Sequence, residues 1–274
     1  MKKTAIAILL LYLLVCFVGC SAKEKSESNT PAADSSISTQ EQPQSNMEEN
    51  SVQTKPVSEP YTKNTRIADV INDSAFGDYG RLIFPVNNGY YSGDTLGDLS
   101  LTWYSHIDAD KTVEIANYFK SHAEAGDIIF YDIYTEAEKA ADPAKADTGL
   151  FFFKGNPGER FAICNAGGGF AYVGAMHDSF PHALELSKKG YNAFALIYRP
   201  GWDTAVEDLA RAIGFIFEHA EELEVDTDCY SLWGGSAGGR MTAYLGSYGP
   251  AAFGGDDLPR PGTAIIQYTG HSEY

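Results

Sequence analysis

Apolar positions follow two rhythms in the second half of the chain. Leu150–Lys154, Phe161–Cys164, Asn192–Tyr198, Cys229–Trp233 and Thr263–Tyr268 are short apolar runs of strand length. Between them apolar residues return every three or four positions. Val206, Leu209, Ile213, Ile216 and Ala220 line one face of a long helix, which Thr204 and Glu207 are expected to open as a capping box. His182–Lys189 reads as a helix that stops at Gly190, and another follows from Ala237. Strand alternating with helix predicts an α/β fold, a mainly parallel sheet with helices on both faces. Upstream the signals are mixed. The pattern suggests a short strand near Arg81–Val86, a strand at Leu101–Ser105, a helix at Lys111–Ala123, a strand at Ile128–Tyr134 and a weak helix at Glu136–Ala146 broken at Pro143.

The start of the chain has a different pattern. Lys2 and Lys3 precede an apolar run from Ala5 to Val18, the charged and hydrophobic regions of a secretory signal. The run is short for a membrane span. It ends at Phe17-Val18-Gly19-Cys20, which resembles a bacterial lipobox. Residues 1–20 are therefore expected to be a lipoprotein signal, with Cys20 lipidated and the protein exported to the cell envelope; the alternative is a cleaved signal with Cys20 as a thiol. Residues 21–64 are rich in Ser, Thr, Glu, Gln, Asn and Pro, with no aromatic side chain before Tyr61. Such a stretch cannot offset its ordering entropy, so it is expected to be a disordered tether with a reach of about 35–40 Å. Residues 65–149 are expected to supply first strands and a cap, and residues 150–274 the core.

Composition narrows the partners. With 274 residues, 44% of them hydrophobic, the chain can bury a core. A formal charge of −17 repels phosphate backbones, so no nucleic-acid partner is expected. No metal-ligand spacing is visible, and no cofactor is expected. Cys164 ends its strand and Cys229 begins its own. As parallel neighbours they would lie roughly 15 Å out of step, too far for a disulfide. Both are expected to be buried thiols.

Two glycine-rich turns carry the chemistry. Gly234-Gly235-Ser236-Ala237-Gly238-Gly239 follows a strand and opens a helix, the context in which G-x-S-x-G places a serine nucleophile on a tight turn. An incidental serine in a glycine-rich turn is the competing explanation. Asn165-Ala166-Gly167-Gly168-Gly169-Phe170 ends the strand Phe161–Cys164. Backbone amides there are unobstructed by side chains, as an oxyanion site requires. The expected donors are the amides of Gly168, Gly169 and Ala237.

With Ile163–Phe170, Gly190-Tyr191 to Tyr198-Arg199, Ala205–Asp208 and Gly234–Gly239, the chain resembles an α/β-hydrolase of the esterase/lipase group, in particular acetyl-esterase and xylan-esterase-like enzymes. Asn165-Ala166 stands where that family usually has Pro or a His-Gly pair. The resemblance implies Ser236 as nucleophile and an acyl-enzyme intermediate. It makes a carboxylesterase acting on acetyl or similar esters of small molecules or glycans the leading expectation. An exported peptidase of the same fold, or a non-catalytic or truncated binding lipoprotein, is the alternative.

In this fold the triad acid and histidine follow the nucleophile. The residues after Ser236 supply one helix, the loop Gly246–Gly262 and one strand. The chain is thus expected to lack the last strand–helix units of the fold. Asp256, Asp257, His271 and Glu273 are the downstream candidates, and His177, His271 and Glu273 are candidate pocket residues. His106, His122, His182 and His219 read as helix or surface residues. Tyr131, Tyr134, Tyr172, Trp202 and Trp233 are candidates for a sugar platform or, more simply, for the core.

Overall fold

The computed structural model describes residues 59–84, 89–102 and 106–269. Cys20, His271, Glu273 and the whole leader 1–20 lie outside them.

Six strands form one sheet: β3 (Phe130–Tyr131), β4 (Gly149–Phe153), β5 (Glu159–Asn165), β6 (Asn192–Ile197), β7 (Val225–Gly235) and β8 (Thr263–Gln267), in the order β3-β4-β6-β5-β7-β8. From β6 to β8 the neighbours are parallel, and β4 runs antiparallel to both β3 and β6. The residues of β4 and β6 are buried throughout, the pattern of strands covered on both faces.

Alternation along β4 sorts the layers. Phe151 meets Phe119 of α2 (Ala109–Ala125) and Phe180 of α4 (Ser179–Lys188), each with ring centroids 5.0 Å apart. Phe152 faces the other way, stacked on Phe194 at 4.4 Å and edge-on to Tyr131. Tyr131 in turn meets Phe215 of α5 (Trp202–Glu218), beside which α6 (Ser236–Tyr248) packs. Each aromatic contact adds about 0.5–1.5 kcal/mol to area burial.

β6 lies between β4 and β5 in the sheet, although only residues 154–158 separate those two strands in sequence. Several expectations change. Gly77–Leu82 is a helical turn where a strand was expected to begin. A Cβ on Gly80 would lie 2.3 Å from the Ile71 carbonyl oxygen of α1 (Ile67–Ile71), so the turn seats directly on that helix. The strand at Ile128–Tyr134 shrinks to Phe130–Tyr131, which lie opposite Phe151 and Leu150 of β4. Thr204 opens no capping box. α5 begins two residues earlier, and the Thr204 hydroxyl donates to the Pro200 carbonyl at 2.8 Å. Ordered structure also reaches further upstream than residue 65: Tyr61 is buried, its amide donating to Asn117 at 2.7 Å and its hydroxyl to Asp73 at 2.5 Å.

Cys164 lies opposite Trp233 in the β5–β7 pair, so Cys229 sits four positions out of register, and both residues are thiols. Cys164 is buried, but Cys229 is exposed. The register of β7 shifts between its pairings with Arg160 and Ala162. Cys229 lies in the excess length of β7, with φ +56°, and the bulge turns it outward.

Candidate active site

β7 runs straight into α6, and Ser236 is the first helical residue. Its φ is +50°, a left-handed conformation costing a non-glycine residue on the order of 1–2 kcal/mol. The turn can be this sharp because α6 presses onto the end of β5. A Cβ on Gly238 would lie 2.0 Å from the Asn165 carbonyl oxygen. Asn165 ties these elements together. Its side-chain amide donates to the Trp233 carbonyl at 3.0 Å and to the Thr242 hydroxyl at 3.3 Å. A buried structural anchor therefore stands where the sequence departs from the Pro or His-Gly pattern.

The loop Gly167–Gly169 leaves the end of β5 beside the elbow. A Cβ on Gly167 would come within 2.9 Å of Ser236 Cβ. Gly168 has φ +143°, and a side chain there would meet the Tyr172 carbonyl oxygen at 1.9 Å. Ala237 is buried in the first turn of α6, where amides have no intrahelical acceptor.

Ser236 and Gly167–Gly169 share a cavity of about 870 Å³. Leu101, Ala171 and Tyr172 give it an apolar wall, and His177, Asp178, His182 and Tyr268 a polar one. Leu101 arrives on a hairpin of β1 (Tyr91–Ser92) and β2 (Ser100–Leu101). The Tyr91 hydroxyl lies 3.0 Å from His177 Nδ1. Burial pushes the His177 imidazole below its ordinary pKa, opposed by the smaller pull of the Asp178 carboxylate. His182 donates Nδ1–H to the Asp178 carbonyl at 2.7 Å.

The other candidates fall elsewhere. Asp256 packs against α5 at Gly214, in the loop feeding the start of β8, and neither Asp256 nor Asp257 lines the cavity. Of the aromatic set only Tyr172 lines it. Tyr134 hydrogen-bonds Asp208, Tyr131 packs on Phe152, Trp202 meets Phe170, and Trp233 donates to Ser231. His122 pairs with Asp127 and His219 bonds the Phe215 carbonyl. His182, by contrast, is a pocket residue that sequence reasoning left on a helix surface. Its i, i+4 spacing from Asp178, directly after the glycine loop, was the available signal. Among the described residues no cluster of three or more His, Cys, Asp or Glu could hold a metal ion.

Residues 157–255 match the BD-FAE family model, a span that includes both glycine-rich turns. That segment is similar to an α/β-hydrolase-type esterase family. The BD-FAE match begins just before β5 and ends before β8, so the β1–β2 hairpin and Tyr268 lie outside it. Among solved structures the chain is similar to apo esterase 2 of Thermogutta terrifontis, at 23% identity and TM-score 0.35, over 41% of this chain and 43% of that one. The native form of Est2 gives 26% identity and TM-score 0.34 over 41% of each chain. Esterase B of Lactobacillus rhamnosis, inhibited by a tributyrin phosphonate, gives 19% and 0.38 over 48% of this chain and 44% of that one. The matched segments span less than half the length of those structures. No curated relative matches the sequence.

Proposed function

We propose that this protein is an exported, membrane-tethered serine esterase that removes acetyl or similar short acyl groups from small-molecule or glycan esters. The observation that carries the chemistry is Ser236, held at φ +50° at the head of α6 and sharing one cavity with the Gly167–Gly169 loop. Ser236 Oγ attacks the ester carbonyl, and the negative oxygen is received by the amides of Gly168, Gly169 and Ala237. Collapse expels the alcohol with a proton and leaves the acyl group on Ser236. Water then releases it as the acid.

A fluorophosphonate probe and p-nitrophenyl acetate test this reading. The full chain is expected to be labelled on Ser236 and to hydrolyse the ester, and Ser236→Ala to lose both. An unlabelled, inert wild type would overturn it, and binding of acetylated oligosaccharide without turnover would make the protein a binding lipoprotein. Preference for aminoacyl amides over acetyl esters would make it a peptidase. Export and anchoring rest on Lys2-Lys3, the Ala5–Val18 run and Cys20. Two acyl chains on one cysteine suffice for stable attachment, at about 0.8 kcal/mol per buried methylene. Cys20→Ser is expected to move the protein from the detergent phase to the aqueous phase. Equal partitioning of the two forms would remove the anchor from the proposal.

A further inference from the structure

Asp178 occupies the N-cap position of α4 but does not cap it. An aspartate there ordinarily accepts amides of its own first turn. This one turns away, and its Oδ2 accepts the Gly167 amide at 2.6 Å, eleven residues back. The side chain is 3% exposed. Burying a carboxylate is costly unless it is hydrogen-bonded, so its orientation is tightly set. The same oxygen would lie 3.3 Å from a Cβ on Gly167 and 2.9 Å from one on Gly235. It is wedged between the glycine loop and the serine elbow.

The loop's other polar groups are also occupied. The Gly167 carbonyl accepts the Gly174 amide at 2.9 Å, and the Gly168 carbonyl accepts the amides of Ala171 at 3.0 Å and Tyr172 at 3.3 Å. Among the described residues no acceptor takes the amides of Gly168 or Gly169. Three consecutive glycines have no side chains to hold them and a wide choice of backbone conformations. Their conformation is therefore imposed from outside, by Asp178 at the amide of the first glycine and by backbone amides at its carbonyl and the next.

We propose that Asp178 is a positioning residue for the reaction at Ser236: by fixing the Gly167 peptide it presents the Gly168 and Gly169 amides to the developing oxyanion. This rests on the reading of Ser236 as nucleophile. Its worth lies in preorganisation, because an oxyanion site accelerates acylation only when its donors are already in place. His182 Nδ1 lies 3.8 Å from Asp178 Oδ1, and His177 precedes Asp178 in the chain. Both imidazoles are held by other partners as well, the Asp178 carbonyl for His182 and the Tyr91 hydroxyl for His177.

The experiment measures fluorophosphonate labelling rates and p-nitrophenyl acetate kinetics for the full chain and its Asp178→Leu, Asp178→Ala and Asp178→Asn variants, with thermal unfolding alongside. Leucine fills the site without an acceptor, alanine empties it, and asparagine keeps an oxygen for the Gly167 amide. Leu and Ala are expected to slow labelling and kcat about 100-fold, the scale of losing one oxyanion donor, with KM within twofold. Asn is expected to restore the rate to within about 10-fold of wild type. Wild-type rates in folded Leu or Ala variants would overturn the proposal and leave Ser236 standing. So would a loss confined to KM, or failure of both variants to melt cooperatively, which would make Asp178 a folding determinant. An unlabelled wild type would overturn the Ser236 reading itself, and this proposal with it.

Discussion

His177 couples the pocket to pH. Its imidazole is held by burial below the ordinary value of about 6.5 that it has in the unfolded chain. Between the two values the unfolded state binds more protons, so stability rises with pH through that window. The contribution is complete above about pH 6.5 and is lost as pH falls through the native value. Glu185, whose carboxyl Lys111 and Lys188 hold down at about 2, titrates below this range. The melting temperature of the wild type is therefore expected to fall between pH 7.5 and 5, and His177→Gln to flatten that fall. Equal slopes for the two proteins would refute the assignment. The serine turn and the glycine loop are legible in sequence because their geometry demands particular neighbours: glycine beside Ser236 and glycine at position 168. Asp178 is not, because its meaning comes from a bond to a residue eleven positions away that no local pattern announces.

Among the elements, α5 is fixed by a buried charge. Arg199, just past β6, donates from Nε and Nη2 to Asp208 at 3.0 and 2.7 Å, and its backbone amide donates to the same carboxylate at 2.7 Å. The Tyr134 hydroxyl adds a bond to Asp208 at 2.6 Å, and Arg199 also reaches Asp142 at 2.7 Å. The network joins β6, α5 and the segment around α3 (Glu136–Ala141). Asp208 is fully buried, and removing one member of a buried pair typically costs 3–5 kcal/mol. Urea denaturation is expected to show a loss of about 3–5 kcal/mol for Asp208→Ala and about 1–2 kcal/mol for Tyr134→Phe, where a hydroxyl alone is lost. A loss below about 1 kcal/mol for Asp208→Ala would show that the network relaxes instead. The rhythm of the chain identifies β4 to β8 and α4 to α6 because short apolar runs alternate there with amphipathic helices. It misses the hairpin, whose strands are two residues each. It also favours the wrong capping box. The reciprocal bonds are made by Thr135 and Glu138, whereas Gly201, at φ +108°, lets α5 start ahead of Thr204.

At the level of the molecule, the sheet ends unevenly. On the β8 side, among the described residues, only β7 pairs with the last strand. Ile266 is 47% exposed and Tyr268 67%, with Tyr248 of the adjoining α6 at 66%. An open, apolar strand edge is a template for pairing with another chain, opposed here by the −17 charge. Light scattering across protein concentrations is expected to show self-association that increases with salt, and Ile266→Lys is expected to reduce it. Concentration-independent mass at high salt would count against an adhesive edge. The sequence shows that Thr263–Tyr268 is a strand, but not that its faces are exposed, because burial depends on what else reaches the strand.

The hairpin has a consequence for how such a protein can diversify. Leu101 forms part of the cavity wall and Tyr91 steadies His177, yet both come from a segment upstream of the matched hydrolase domain. Part of the cavity wall is therefore carried on a different stretch of chain from Ser236 and the glycine loop. Lengthening, shortening or exchanging residues 91–101 would reshape that wall while leaving the serine turn and its glycine loop in place.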